Sequence, residues 1–120
     1  MGKSIVIPDG TKFISNHCYS GDPEITDVRI PDSVQEIGVG AFENCDGLET
    51  VKLGCGVRRL KKDVFSGCTA LREINIPDSL ESIGEWAFRD CRSLRELKLP
   101  AGIEVCEEAF LGCDNLRADQ

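Results

Sequence analysis

Two sixteen-residue stretches of this chain are nearly the same. Residues 30–45 read IPDSVQEIGVGAFENC and residues 76–91 read IPDSLESIGEWAFRDC, 46 positions apart. A shift of 23 residues explains the pair and most of the remaining sequence. Ile5, Val28, Val51, Ile74 and Leu97 fall in one column, and Ile7, Ile30, Leu53, Ile76 and Leu99 in the next but one. Ile14, Ile37, Leu60 and Ile83 form a third column, Tyr19, Phe42, Phe65 and Phe88 a fourth, and Cys45, Cys68 and Cys91 a fifth. One residue is missing between Ile103 and Val105; beyond it Val105, Phe110, Cys113 and Leu116 rejoin their columns. The first copy is the most eroded, with Thr11, Tyr19 and Asp22 at otherwise apolar, Phe and Cys positions. Self-similarity at this period marks a solenoid, in which each repeat buries its apolar face only against its neighbours.

Within a repeat the segment LREINIP alternates, so Ile74 and Ile76 point inward while Glu73 and Asn75 point out. That period of two describes a strand, which proline then ends because it has no N–H to donate. The remainder of the repeat is too short for a long helix and shows no second clear strand. Consecutive strands must therefore pair in parallel, one per coil, about 4.8 Å apart.

The unit running from Leu through IxIP, VxxIG, AF and Cys to the next Leu resembles the bacterial-surface-antigen (BspA-like, Treponema-type) class of leucine-rich repeats. Residues 30–49 and 76–96 carry every consensus position. The position after the strand that often holds Asn or Cys is here Ser33, Gly56, Ser79 or Gly102, a departure typical of this class. The resemblance implies an α/β solenoid of about five 23-residue repeats, with a parallel β-sheet on its concave face. Repeats are expected near 4–26, 27–49, 50–72, 73–95 and 96–117, in a single leucine-rich repeat domain spanning 1–120. It also implies a protein-binding module, on the cell surface or secreted.

The net charge of −7 argues against a nucleic-acid partner, which calls for a basic face. No apolar run reaches the length of a membrane span, so no membrane insertion is expected. The N-terminal MGKSIVIPDG has too short an apolar run for a signal peptide. With unpaired thiols this favours the cytoplasm, against the surface location implied by the resemblance. The tripeptide GKS at 2–4 lacks the upstream glycine of a phosphate-binding loop, and Val6 stands where a myristoylation signal needs Ser or Thr.

Seven cysteines raise the question of disulfides, metal or catalysis. Cys45, Cys68, Cys91 and Cys113 recur once per coil and should stack as buried thiols, and Cys18 shares the small-residue column of Ala41 and Ala87. Zinc needs four converging ligands, typically in CxxC pairs, which the chain lacks. Cys55 and Cys106 lie outside the columns and are the thiols most open to reaction, but neither has a neighbouring His to lower its pKa. The single histidine, His17, adjoins Cys18 in sequence; adjacent strand-like residues point apart and form no dyad. No catalytic residue, cofactor or metal site is expected.

Binding candidates lie on the outward strand columns: Val6, Arg29, Lys52, Asn75 and Lys98 in one, and Ser4, Asp27, Thr50, Glu73 and Glu96 in the other. Mixed charge there suits a protein or peptide partner. Trp86 is a further candidate, because its column otherwise holds His17, Gly40, Asp63 and Glu108, a variable surface position. The basic run RRLKK at 58–62 reads mainly as charge pairing between coils, with Arg59 set against Glu36. The last repeat keeps Phe110 and Leu116, adds Leu111, and leaves a strand edge near 97–99 guarded mainly by Lys98. Phe110, Leu111 and Leu116 are thus candidates for self-association, with a homodimer or a longer array as the alternative to binding an outside partner.

Overall fold

The computed structural model describes residues 2–117. Its strands are β1 (Lys3–Val6), β2 (Phe13–Ile14), β3 (Ile25–Ile30), β4 (Glu36–Ile37), β5 (Thr50–Leu53), β6 (Arg59–Leu60), β7 (Glu73–Ile74), β8 (Ser82–Ile83) and β9 (Glu104–Val105). They form two parallel sheets, β1-β3-β5-β7 (sheet A) and β2-β4-β6-β8-β9 (sheet B). Partners stand 23 residues apart, as in Val28↔Val51 and Ile37↔Leu60. In the last pair the offset falls to 22, Ile83↔Val105, which places the missing residue within the fifth coil.

Sheet B is not anticipated by the sequence pattern, because two-residue strands are too short to show an alternation. Its inward column, Ile14, Ile37, Leu60 and Ile83, is nonetheless the expected apolar one and is buried. No helix occurs among the described residues, so the helical layer implied by an α/β label is absent from them. Turns and sheet B make the return path instead. Residues 97–99 form no strand either, and sheet A stops at the fourth coil. The Asn75 amide marks where β7 stops. It donates to the Leu53 carbonyl at 2.8 Å and accepts from the Leu53 N–H at 2.7 Å, taking the place of backbone pairing. β7 itself is two residues long, and the chain after it is tied to Leu53 through a side chain rather than through its backbone.

Five aromatic rings run through the core. Tyr19, Phe42, Phe65, Phe88 and Phe110 stack with centroids 5.3, 5.6, 5.6 and 5.3 Å apart. Burying each central Phe contributes roughly 1.5–3 kcal/mol, and each ring pair adds about 0.5–1.5 kcal/mol. Beside the rings, each cysteine thiol donates to the carbonyl of the aromatic residue one coil earlier. These contacts are Cys45 to Tyr19 (3.1 Å), Cys68 to Phe42 (3.2 Å), Cys91 to Phe65 (3.3 Å) and Cys113 to Phe88 (2.9 Å). All seven cysteines are free. Cys18, expected to be buried, is exposed in the first of the described coils.

Each coil turns two tight corners in the left-handed region. One corner falls on His17, Gly40, Asp63, Trp86 and Glu108, all with φ between 56° and 63°. The other falls on Gly21, Asn44, Gly67, Asp90 and Gly112. This conformation costs a non-glycine residue about 1–2 kcal/mol, which the stacked coils must offset. Along this edge the N–H groups point up the stack: Tyr19 to the Ala41 carbonyl, Phe42 to Val64, Phe65 to Ala87 and Phe88 to Ala109.

Candidate binding surface

Alternation in β3 buries Ile25, Val28 and Ile30 and turns Asp27 and Arg29 outward; β5 does the same with Lys52. Parallel register then aligns these side chains across coils, Asp27↔Thr50↔Glu73 and Arg29↔Lys52. Between the two ranks lies a shallow groove of about 640 Å³. Its walls are Ser4, Asp27, Thr50 and Glu73 on one side and Val6, Arg29, Lys52 and Asn75 on the other, over a floor that includes Val28 and Val51.

The acidic rank is ordered by hydroxyls. Thr50 Oγ1 donates to Asp27, as do Thr26 at 3.1 Å and Ser4 at 3.4 Å. The Thr50 hydroxyl foremost, then that of Thr26, holds the Asp27 carboxyl below its usual range, fixing a negative charge in the groove. Lys52 and Arg29 have no ion-pair partner among the described residues.

The structure does not place every candidate together. Arg29, Lys52, Glu73 and Asn75 share the groove, whereas Glu96 and Lys98 line a separate depression of about 800 Å³ with Leu97, Leu99 and Arg117. The depression exists because residues 97–99 do not pair with the fourth coil. Trp86 lies on the turn edge, half-buried, with Lys62 over its ring at 5.1 Å, Arg89 at 5.4 Å, and its indole N–H donating to Glu108 at 3.0 Å. Its ring is thus held by neighbours of its own chain. At the fifth coil Leu111 is 46% exposed and Val105 41%, while Phe110 and Leu116 pack partly against the core.

The basic run is largely absorbed by its neighbours. Arg59 and Lys61 share Glu36 at 3.1 and 3.2 Å, and Lys62 covers Trp86. These two cations, Lys61 foremost, hold the Glu36 carboxyl below its usual range. His17 and Cys18 lie in a turn rather than a strand, and His17 faces Glu43 at 3.7 Å.

Among the thiols, burial pushes Cys45 and Cys68 up, and hydrogen bonding to Cys113 together with burial pushes Cys91 up. Cys55 and Cys106 are exposed, as expected for thiols outside the columns. Hydrogen bonding to the Asp32 carboxylate raises the Cys55 thiol and so works against reactivity. Among the described residues no group of His, Cys, Asp and Glu is arranged to hold a metal ion.

A single-layer stack of short coils, each with an inward Leu/Ile/Phe set and a parallel ladder at a 23-residue offset, defines a leucine-rich repeat protein. The family model for the BspA-type leucine-rich repeat region matches residues 2–117 in six copies. The chain belongs to that family. Among solved structures it is similar to a leucine-rich repeat protein of Bacteroides ovatus, with 35% identity and a TM-score of 0.85 over 94% of this chain and 32% of that one. It is similar to a leucine-rich cell surface protein of Faecalibacterium prausnitzii, with 33% identity and a TM-score of 0.91 over 95% of this chain and 30% of that one. The T. pallidum leucine-rich repeat protein matches at 31% identity and a TM-score of 0.91, over 96% and 56%. The chain thus spans about a third of the length of the first two and just over half of the third. No curated protein matches.

Proposed function

We propose that this chain is a non-enzymatic recognition module that binds an extended segment of a protein partner in the groove on sheet A. The observation that carries this reading is the pair of opposed ranks across that groove. Arg29, Lys52 and Asn75 face Asp27, Thr50 and Glu73, and neither rank is needed for the core. Such a surface selects partners by charge register and steers their approach. Its family supports it, since leucine-rich repeats generally serve as protein-interaction modules. By the same likeness to the Faecalibacterium cell surface protein, we place the module outside the cell.

The test is to select binders from a displayed peptide library and measure their affinity for Arg29→Glu/Lys52→Glu. A drop of tenfold or more, with the melting curve unchanged, supports the groove; undiminished affinity rules it out. Lys98→Glu, measured separately, tells whether contacts extend into the second depression.

A second reading rests on the exposed Leu99, Val105 and Leu111 of the fifth coil. On this reading the coil self-associates, with Phe110 and Leu116 beside the contact, and the chain is an assembly block. Light scattering across a concentration series decides. Leu111→Glu/Leu116→Glu should convert a dimer to monomer, and an unchanged mass in the variant removes the idea.

A further inference from the structure

Four arginines that are scattered in sequence meet at one edge of the stack. Arg72, Arg95 and Arg117 occupy a single column in successive coils, after Thr26 and Glu49. The backbone marks the column: Glu49 N–H donates to Thr26, Arg72 N–H to Glu49, and Arg117 N–H to Arg95. Arg72 and Arg95 line the same two depressions and Arg117 lines one of them, so the three guanidinium stems emerge close together. Arg92 joins them from the preceding turn. Two depressions adjoin there. One, of about 440 Å³, is lined by Arg72, Arg92, Ser93, Arg95 and Asn115. The other, of about 360 Å³, is lined by Arg72, Arg95 and Arg117 with Glu73, Ile74 and Glu96.

All four arginines are exposed. Among the described residues only Arg72 has an ion-pair partner across coils, Glu49 at 3.8 Å, and both side chains of that pair are more than half exposed. Glu73 and Glu96, although they line the smaller depression, make no ion pair with any of the four. RRLKK is the contrast, a contiguous run whose charges are mostly occupied by Glu36 and Trp86. In a chain of net charge −7, four of fourteen Lys and Arg residues thus gather on one edge, beside the carboxylates of Glu49, Glu73 and Glu96, of which only Glu49 comes within ion-pair distance. Like charges aligned across neighbouring strands repel, and an anion between them relieves the repulsion. Guanidinium forks match the paired oxygens of phosphate and sulfate in a way that ammonium groups do not. Asn115 Nδ2 donates to the Arg92 carbonyl at 2.8 Å, tying the fifth coil to the fourth beside the cluster.

We propose that Arg72, Arg92, Arg95 and Arg117 form a binding site for a tetrahedral oxyanion, the phosphate or sulfate group of a ligand. The site is independent of the groove reading and could be present if that reading fails.

The test is a titration of the ¹⁵N-labelled chain with sodium phosphate and, separately, sodium sulfate at constant ionic strength, following the arginine Nε–Hε resonances. Saturable shifts of Arg72, Arg92, Arg95 and Arg117, with Arg58 and Arg59 nearly still, are expected from at least one of the two anions. Arg95→Gln/Arg117→Gln should weaken binding at least fivefold without moving the urea midpoint. Tighter binding of one anion identifies the ligand group, and equal binding leaves tetrahedral oxyanion chemistry as the determinant. Shifts that are linear and alike for all arginines, or full affinity in the double variant, overturn the proposal.

Discussion

Replacing Phe65 by alanine removes the middle ring of the aromatic stack. The side chain is fully buried, and its ring lies 5.6 Å from both Phe42 and Phe88, so one substitution breaks two contacts and opens a cavity the flanking rings cannot fill. The expected cost is about 3–5 kcal/mol. Against a typical domain stability of about 5–15 kcal/mol, that is a large fraction. Phe110 supplies the comparison, since it has one ring neighbour, at 5.3 Å, and is only partly buried. Phe110→Ala should cost about half as much, because a half-open site forfeits less burial and leaves no closed cavity. Urea unfolding followed by Trp86 fluorescence and by far-ultraviolet circular dichroism measures both, the two signals reporting the fourth coil and the whole ladder. Equal losses for the two variants, or a loss below about 1 kcal/mol for Phe65→Ala, would refute the stack as the main support of the fold.

The left-handed corner predicts that Trp86→Gly is more stable than Trp86→Ala by about 1 kcal/mol, since alanine keeps the strain and loses the ring; urea midpoints of the pair check it. Thiol labelling of the native chain should modify Cys18 and Cys106 rapidly, Cys55 more slowly, and spare Cys45, Cys68 and Cys91 until urea is added, as peptide mapping would show. Asp32→Asn should speed labelling of Cys55 at neutral pH, because it removes the carboxylate that disfavours the thiolate; an unchanged rate counts against that contact. Glu36 has a depressed folded-state pKa, so its contribution is present above its unfolded pKa and is lost as pH falls through the folded one. Acid titration of stability should therefore be shallower in Glu36→Gln than in the parent.

Much of this fold is legible from columns and little of it from runs. The 23-residue register, the aromatic and cysteine stacks and the outward ranks follow from spacing, because a solenoid maps sequence period directly onto neighbours in space. Sheet B escapes notice because Phe13–Ile14 and its equivalents are too brief to display a period. The shortness of β7 escapes too, since nothing in the order of residues says that the Asn75 amide turns back onto Leu53. In the candidate surface, Arg29, Lys52, Glu73 and Asn75 come together as their columns require, but Lys98 and Glu96 depend on pairing that the fifth coil lacks. The arginine column stands in the sequence at the same spacing, but its members lie too far apart along the chain to form a contiguous basic run such as RRLKK.

The one-way N–H ladder along the turn edge makes the stack an arrow. Each coil's peptide dipoles there align with those of the next, so partial charge is left uncancelled at the two ends, as it is in a helix. Among the described residues the Glu108, Phe110 and Gly112 N–H groups donate to nothing, and the first coil's Asn16, Cys18 and Ser20 carbonyls occupy the matching acceptor positions. The turn edge of the fifth coil therefore carries that ladder's positive end, while elsewhere in the coils N–H groups such as Gly38 to Ile14, Arg58 to Gln35 and Gly84 to Leu60 point the other way. A coil laid against that edge in the same sense would meet it carbonyls first. Growth of such a stack has a direction written into its backbone.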